Sequence, residues 1–264
     1  MKTTRILIFL TIFLFIFSGF SGCSAKKKEV RYPVRLKTGT AEHYLHEGLF
    51  YLNNGNINVA EKKLLKALKK KPTLIGAING LGIVYLQRRE FQKAIQYFNQ
   101  VTRINPESYD AYNYLGVIYT ELGEYSLAKE NLLRAANAEK YNTPENAYVN
   151  LALLEIRQER FDAALRYVEK GLEKNQRFPP LSNLMGVILE NQEKYQEALE
   201  WYEKALSLLT EEDVTYLVNI GRIYSKLGQK DKALDTLEKA LSKAYSLEMK
   251  KQIRSMIQNL EKQE

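Results

Sequence analysis

The sequence predicts an all-α protein, an α-solenoid of six helix–turn–helix units followed by a capping helix. Small residues recur at a nearly constant interval, an alanine follows each of them at a fixed distance, and amphipathic stretches of helical period surround both. One hairpin cannot bury both of its faces, so successive units are expected to stack. The 264 residues, 45% hydrophobic and 27% charged, have the balance of a globular chain.

The interval of about 34 residues is the most regular feature of the chain. The spacings between successive small residues are 34, 34, 36, 34 and 35 residues, and they fall at Gly48, Gly82, Gly116, Ala152, Gly186 and Gly221. Twelve residues after each of them stands an alanine, at Ala60, Ala94, Ala128, Ala164, Ala198 and Ala233. A larger side chain at the small positions would push two crossing helices apart, which predicts that the helices of each hairpin cross there.

Each interval contains two amphipathic segments with apolar residues at i, i+3, i+4 and i+7, separated by a polar turn such as residues 53–56 or 87–90. After the sixth interval, one more stripe predicts a final helix with one apolar face, formed by Met249, Ile253, Met256, Ile257 and Leu260. This helix would cover the open end of the array, as terminal caps do in repeat proteins.

The interval resembles the tetratricopeptide repeat, which has a small residue at its eighth position, tyrosine at the eleventh and alanine at the twentieth. The clearest stretches are Leu81–Tyr85 and Leu115–Tyr119, while Glu155 and Leu189 replace the usual tyrosine. The resemblance implies a right-handed superhelix with a C-terminal capping helix at 248–264. The implied repeats span residues 41–74, 75–108, 109–142, 145–178, 179–212 and 214–247.

The first 22 residues have the order of a secretory signal peptide: Lys2 and Arg5, then a run of twelve residues from Ile6 to Phe17 that is apolar except for one threonine, then small residues. The run is shorter than the roughly 20 residues that span a bilayer. The only cysteine, Cys23, follows directly, and residues 20–23 resemble the bacterial lipobox, with phenylalanine where leucine is usual. The resemblance implies that Cys23 is acylated, with chains such as palmitate, and becomes the mature N-terminus.

Residues 23–40 are interpreted as the lipidated cysteine and a basic tether, since residues 24–40 hold six Lys or Arg against one Glu. Serine at position 24 resembles the outer-membrane class of lipoproteins, which implies an outer-membrane protein facing the periplasm of a Gram-negative envelope. The tether is either a solvated linker or a segment whose lysines touch anionic head groups. Residues 24–40 carry five of the eight net positive charges, so the net charge of the chain is weak support for nucleic-acid binding.

Catalytic, metal and cofactor sites are not expected. One cysteine and two histidines, His43 and His46, cannot form a metal site without further ligands. The glycine-rich segment 76–82 lacks the preceding strand and the Lys-Ser/Thr of a phosphate-binding loop. The sequence therefore predicts a protein that is not an enzyme and binds neither nucleic acid nor a small-molecule substrate.

In the tetratricopeptide family the first helix of each hairpin lines the groove, and its fifth and ninth positions usually contact ligands. The resemblance thus implies a partner-binding groove with an aliphatic stripe and interspersed amides, formed by Leu45, Leu49, Asn79, Ile83, Asn113, Val117, Val149, Leu153, Asn183 and Val187. The ninth position of the sixth unit is Arg222, and Gly76 and Gly80 are expected to leave extra space in the second unit. Such a groove suits an amphipathic helix or an extended apolar segment.

Six such repeats behind a lipobox resemble the type IV pilus pilotins, which are outer-membrane lipoproteins that support secretin assembly. The resemblance implies a scaffold whose groove holds a segment of a secretin subunit. A second hypothesis is an adaptor for peptidoglycan hydrolases and proteases, and a third is a component of outer-membrane β-barrel assembly. Of the three, the pilotin-like role is the leading hypothesis.

Overall fold

The computed structural model describes residues 37–262, and the regular elements in this range are all helices. The helices are α1 (Ala41–Asn53), α2 (Ile57–Lys70), α3 (Ile75–Gln87), α4 (Phe91–Ile104), α5 (Tyr109–Leu122), α6 (Tyr125–Ala136), α7 (Pro144–Arg157), α8 (Phe161–Lys174), α9 (Pro179–Asn191), α10 (Tyr195–Ser207), α11 (Val214–Lys226), α12 (Lys230–Lys243) and α13 (Leu247–Glu261). Twelve of them form six consecutive helix–turn–helix pairs, so the predicted all-α repeat fold is confirmed.

The described residues divide into two compact units, 37–154 and 155–262, with the boundary inside α7. The first unit contains the first three hairpins and most of α7. The second contains α8, the last two hairpins and α13.

Within the hairpins, the small residue of the first helix lies against a large side chain sixteen positions later on the second helix. A Cβ added to Gly82 would lie 2.7 Å from Cε1 of Phe98, and one added to Gly186 would lie 2.6 Å from Cε1 of Tyr202. The same pairing joins Gly48 to Leu64, Gly116 to Leu132 and Gly221 to Leu237. All five large side chains are fully buried, and the absence of a Cβ on the glycines leaves the space that they fill.

The turn inside every hairpin contains one residue in the left-handed backbone region. Its φ lies between 59° and 78°, and the residues are Gly55, Arg89, Gly123, Glu159, Glu193 and Gly228. In all six turns the next amide donates to the carbonyl five residues earlier, which closes the C-terminus of the first helix. Three turns therefore use glycine, and three hold a residue with a Cβ in a conformation that glycine adopts more readily.

Neighbouring hairpins of the first unit are joined by both polar and aromatic contacts. The Tyr85 hydroxyl donates to Oε1 of Glu61 at 2.7 Å, and Nη2 of Arg88 lies 2.9 Å from Oε2 of Glu61. The hydrogen bond from Arg88, with that from Tyr85, lowers the pKa of Glu61. Phe98 stacks on Tyr114 of the next hairpin with 4.9 Å between ring centroids.

The last helix, α13, packs its apolar stripe on the sixth hairpin. Met249, Ile253, Ile257 and Leu260 are buried in one cluster with Leu237 and Ala240 of α12, and Met256 packs against that cluster. The Ser246 hydroxyl accepts a hydrogen bond from the Met249 amide and so caps the helix N-terminus.

In the part of the chain that the structure describes, no helix combines the length and hydrophobicity needed to span a bilayer. The predicted signal peptide, Cys23 and most of the basic tether lie outside the described residues.

Candidate functional site

The ten groove residues predicted from the sequence all lie on first helices of the repeats. Eight belong to the first unit, on α1, α3, α5 and α7, and two, Asn183 and Val187, belong to α9 in the second unit. None is fully exposed, because neighbouring side chains of the hairpins cover part of each. Eight are half-buried, while Asn113 and Val187 are only 6% and 7% exposed.

Four half-buried aliphatic side chains occupy the ninth repeat position in the first unit. They are Leu49, Ile83, Val117 and Leu153, one from each first helix of that unit. Each retains some solvent-accessible apolar surface on a rigid helix. A guest side chain placed there would remove that surface from water, and apolar burial stabilises by roughly 25 cal/mol per Å².

The space expected around Gly76 and Gly80 is not open, and that expectation was wrong. A Cβ on Gly76 would lie 3.1 Å from Cδ2 of Leu45, and one on Gly80 would lie 3.0 Å from Cδ1 of Leu64. The first hairpin thus inserts two leucines where the second hairpin has glycines. The glycines allow α3 to pack closely against α1 and α2, and they provide no cavity for a guest.

The groove amides pair with one another between neighbouring first helices. Nδ2 of Asn150 on α7 donates to Oδ1 of Asn113 on α5 at 2.8 Å, inside the first unit. Nδ2 of Asn219 on α11 donates to Oδ1 of Asn183 on α9 at 2.9 Å, inside the second. Asn150 and Asn219 were not predicted as groove residues, although their spacings of 37 and 36 residues from their acceptors are close to the repeat period.

Asn79 is the exception at this repeat position. Its side-chain oxygen is buried and accepts no hydrogen bond from residues 37–262. In the third repeat, Tyr114 occupies the position that corresponds to the donors Asn150 and Asn219. Its ring is stacked on Phe98. An aromatic ring cannot supply the amide donor, so the pairing is missing in the second repeat.

Arg222, at the ninth position of the sixth repeat, is bound inside its own unit. Its Nε and Nη2 donate to Oε1 and Oε2 of Glu190 at 2.8 and 2.7 Å, and the Tyr202 hydroxyl donates to Oε2 at 2.9 Å. Burial alone would lower the pKa of the Arg222 guanidinium, but the negative charge and hydrogen bonds of Glu190 outweigh burial and raise it. Burial, followed by the charge of Glu190, raises the pKa of the Tyr202 hydroxyl far above its ordinary value.

The two units therefore offer different surfaces at the ninth position. The first has four partly accessible aliphatics, whereas the second has a buried valine, Val187, and an arginine held by its own glutamate. The partly accessible aliphatic surface at this position therefore lies on the first unit.

Within residues 37–262, the side chains that could bind a metal ion do not come together. No group of three His, Cys, Asp or Glu side chains in this range is close enough to hold a metal ion. Nε2 of His43 lies 3.5 Å from Oε2 of Glu47, and the His43 amide donates to the Thr40 hydroxyl, which caps α1.

Comparison with known proteins agrees with the repeat architecture. Two family models, both described as tetratricopeptide repeat, match residues 79–147 and 176–245, which together make up just over half of the chain. The chain belongs to the tetratricopeptide repeat family. Neither matching model describes a catalytic domain.

Among curated proteins, the chain is similar to the type IV pilus assembly protein PilF of Pseudomonas aeruginosa. The two are 26% identical over 188 residues, which cover 70% of this chain and 74% of PilF. A repeat-containing protein of Methanocaldococcus jannaschii is also 26% identical, over 83% of this chain, but the chain spans only about a third of that protein's length.

Two solved structures of type IV pilus proteins are similar to this chain. The structure of Pseudomonas aeruginosa PilF matches with a TM-score of 0.67 and 21% identity, covering 82% of this chain and 97% of that one. The structure of PilW, described as a widely conserved type IV pilus biogenesis factor, matches with a TM-score of 0.68 and 20% identity, covering 80% and 97%. At these identities the structural matches establish the fold.

Proposed function

We propose that this protein is a lipid-anchored, non-catalytic scaffold of the cell envelope, a pilotin-like factor that supports assembly of a type IV pilus secretin. The observation that carries the proposal is the similarity to PilF, a type IV pilus assembly protein, across about three quarters of the length of PilF. The similarity is not confined to one repeat motif, since a single motif would cover only about 34 residues.

The aliphatic groove of the first unit supports a protein partner. Leu49, Ile83, Val117 and Leu153 recur on successive first helices and keep part of their apolar surface accessible. An amphipathic helix or extended segment of a secretin subunit could place apolar side chains against them at regular intervals. The side-chain amide of Asn113 donates no hydrogen bond to residues 37–262, so it remains a donor for a guest backbone carbonyl.

Attachment to the outer membrane is the second part of the proposal, and it rests on the lipobox-like residues 20–23 and on Ser24. Three acyl chains on Cys23 would hold the protein firmly, since each buried CH₂ contributes about 0.8 kcal/mol. A Cys23→Ser variant should then be released from the envelope membrane. Attachment that resists carbonate extraction would instead show that the apolar segment 6–17 is the anchor.

The decisive experiment is complementation of a deletion strain. Deletion should reduce secretin multimers on a gel without reducing secretin monomers, and the wild-type gene should restore them. Unchanged multimers in the deletion strain would refute the pilotin role. A pull-down containing peptidoglycan hydrolases or β-barrel assembly proteins, without secretin, would point to one of the two other scaffold roles.

The groove is tested in the same strain by the double substitution Ile83→Asp and Val117→Asp. A charged carboxylate has no favourable interaction with an apolar guest, so multimers should remain at the deletion level. The matched control is Gln92→Asp with Ser126→Asp, at exposed positions on the second helices of the same two repeats. If both double variants are present at the wild-type protein level and restore equal amounts of secretin multimers, this groove is excluded as the binding site.

A further inference from the structure

The second helix of the first hairpin, α2, exposes a basic face with apolar residues within it. Lys62, Lys66, Lys69 and Lys70 are exposed, and so are Leu65 (44%) and Val59 (37%). At 100° per residue these six side chains lie on one side of the helix, and the opposite side is formed by the buried Ala60, Leu64 and Ala67. Of these six residues, Lys66 also contacts α1, since its Nζ lies 5.7 Å from the centroid of the Tyr44 ring.

No other second helix of the six is so basic. Helix α2 contains five lysines and one acidic residue, Glu61, for a net charge of +4, whereas the net charges of the other second helices lie between +2 and −2. Lys63 uses its charge within the fold, since it is 2.8 Å from Glu47. Lys62, Lys69 and Lys70 form no ion pair with any residue of the described chain, so their charges face solvent.

The basic face lies beside the point where the tether joins the fold. Because the helices of the hairpin are antiparallel, the end of α2 is adjacent to the start of α1, and Nζ of Lys71 is 3.4 Å from Oε1 of Glu42. Residues 24–36, between Cys23 and the first described residue, contain a further five Lys or Arg. The basic face of α2 thus ends next to the start of α1, the helix that follows the tether.

We propose that this face of α2, defined by Val59, Lys62, Leu65, Lys66, Lys69 and Lys70, binds the surface of an anionic phospholipid bilayer. Lysines near such a surface are attracted by its negative potential, and an exposed leucine among them can enter the boundary between head groups and acyl chains. The inference rests on the proposed lipid anchor, which would hold α2 near a bilayer. It adds a second contact that would orient the first hairpin on the membrane.

A fluorescent reporter in the full chain tests the contact. The only tryptophan, Trp201, is replaced by phenylalanine, and Leu65→Trp provides the probe. The acylated protein is mixed with vesicles that contain brominated phospholipids, either neutral phosphatidylcholine alone or phosphatidylcholine with anionic phosphatidylglycerol. Bromine quenches tryptophan only at close range, so quenching reports insertion at position 65.

The matched control is Leu127→Trp in the same background, because Leu127 is 43% exposed on α6, a second helix with a net charge of only +1. On anionic vesicles we expect quenching at position 65 to exceed that at position 127 by about twofold or more. It should fall to the control level in about 1 M salt, where the Debye length is about 3 Å. Substituting Lys62, Lys66 and Lys69 with glutamine should have the same effect.

Equal quenching at positions 65 and 127, equal quenching on neutral and anionic vesicles, or quenching that survives the three glutamine substitutions would each overturn the proposal. Flotation with neutral vesicles separates this result from the anchor itself. If the protein fails to float with neutral vesicles, the anchor is absent. The comparison on anionic vesicles still decides whether α2 binds lipid.

Discussion

Arg222 and Glu190 form a bidentate ion pair across two first helices of the second unit, and the guanidinium and carboxylate are both largely enclosed. The Tyr202 hydroxyl donates to the same carboxylate, so three helices of the unit meet at one charged group. Removing only one partner of a buried ion pair is strongly destabilising, because the other charge then stays buried without a partner.

Glu190→Ala is therefore expected to destabilise the second unit by about 3–5 kcal/mol. Trp201 lies on α10 in that unit, so its fluorescence during urea unfolding measures the change. Replacing both Glu190 and Arg222 with leucine should recover most of the loss, because no unpaired charge is then left. Glu212→Ala, which breaks the more exposed pair with Lys239 in the same unit, should leave the midpoint nearly unchanged. An equal loss in both alanine variants would contradict the role of burial.

The pKa of Tyr202 gives a prediction for alkaline pH. Its folded pKa is raised, so the stability that it contributes is complete below the unfolded value of about 10 and is lost as pH rises toward the folded value. Between about pH 8 and about pH 11 the wild type should lose on the order of 1 kcal/mol more than Tyr202→Phe, since phenylalanine has no proton to release. Between about pH 6 and pH 8 the difference between the two proteins should stay constant. A constant difference up to pH 11 would show that the hydroxyl ionises alike in both states.

The hairpin turns predict a substitution that stabilises the protein. Glu193 has a φ of 62°, a conformation that costs a residue with a Cβ roughly 1–2 kcal/mol. Glu193→Gly should therefore raise the free energy of unfolding by about 0.5–1 kcal/mol, after allowing for the greater flexibility of glycine in the unfolded chain. Thermal unfolding followed by circular dichroism measures it. The reverse change at the equivalent turn, Gly123→Ala at φ 78°, should destabilise, although a Cβ there would meet nothing within 4 Å.

The contact between Gly82 and Phe98 can be tested by adding a methyl group and then making room for it. Gly82→Ala should destabilise the first unit by about 1–3 kcal/mol, because the added Cβ lies 2.7 Å from the ring of Phe98. In a Phe98→Ala background, where the ring is absent, the same change should cost much less. Urea unfolding of the four proteins in this double-mutant cycle provides the coupling energy. Additive losses would mean that the ring does not fill the space over Gly82.

The sequence predicted the parts of this structure that repeat. The glycines and alanines at about 34-residue intervals located every hairpin, because helix crossings need small residues at fixed positions. It did not predict the left-handed backbone of Glu193, since glutamate carries no signal for positive φ. The repeat pattern assigned Arg222 to the ninth position of its repeat, but it did not predict the ion pair with Glu190. That pair depends on how two helices, whose paired residues are 32 positions apart, lie in three dimensions. The prediction of open space at Gly76 was wrong for the same reason, because the side chain that fills the space, Leu45, belongs to the preceding repeat.

Asn79 and Asn113 occupy the same repeat position and should respond oppositely to alanine. Oδ1 of Asn113 accepts a hydrogen bond from Asn150, so Asn113→Ala would leave a donor without its partner and should destabilise by about 1 kcal/mol or more. Oδ1 of Asn79 is buried and accepts no hydrogen bond from the described chain, so Asn79→Ala removes a desolvated carbonyl and should be neutral or stabilising. Urea unfolding followed by circular dichroism compares the two, and Asn150→Ala with Asn113→Ala should cost less than the sum of the single changes. If Asn79→Ala instead destabilises as much as Asn113→Ala, the side-chain oxygen of Asn79 has a hydrogen-bond donor in solution, and the amides of all three repeats are equivalent.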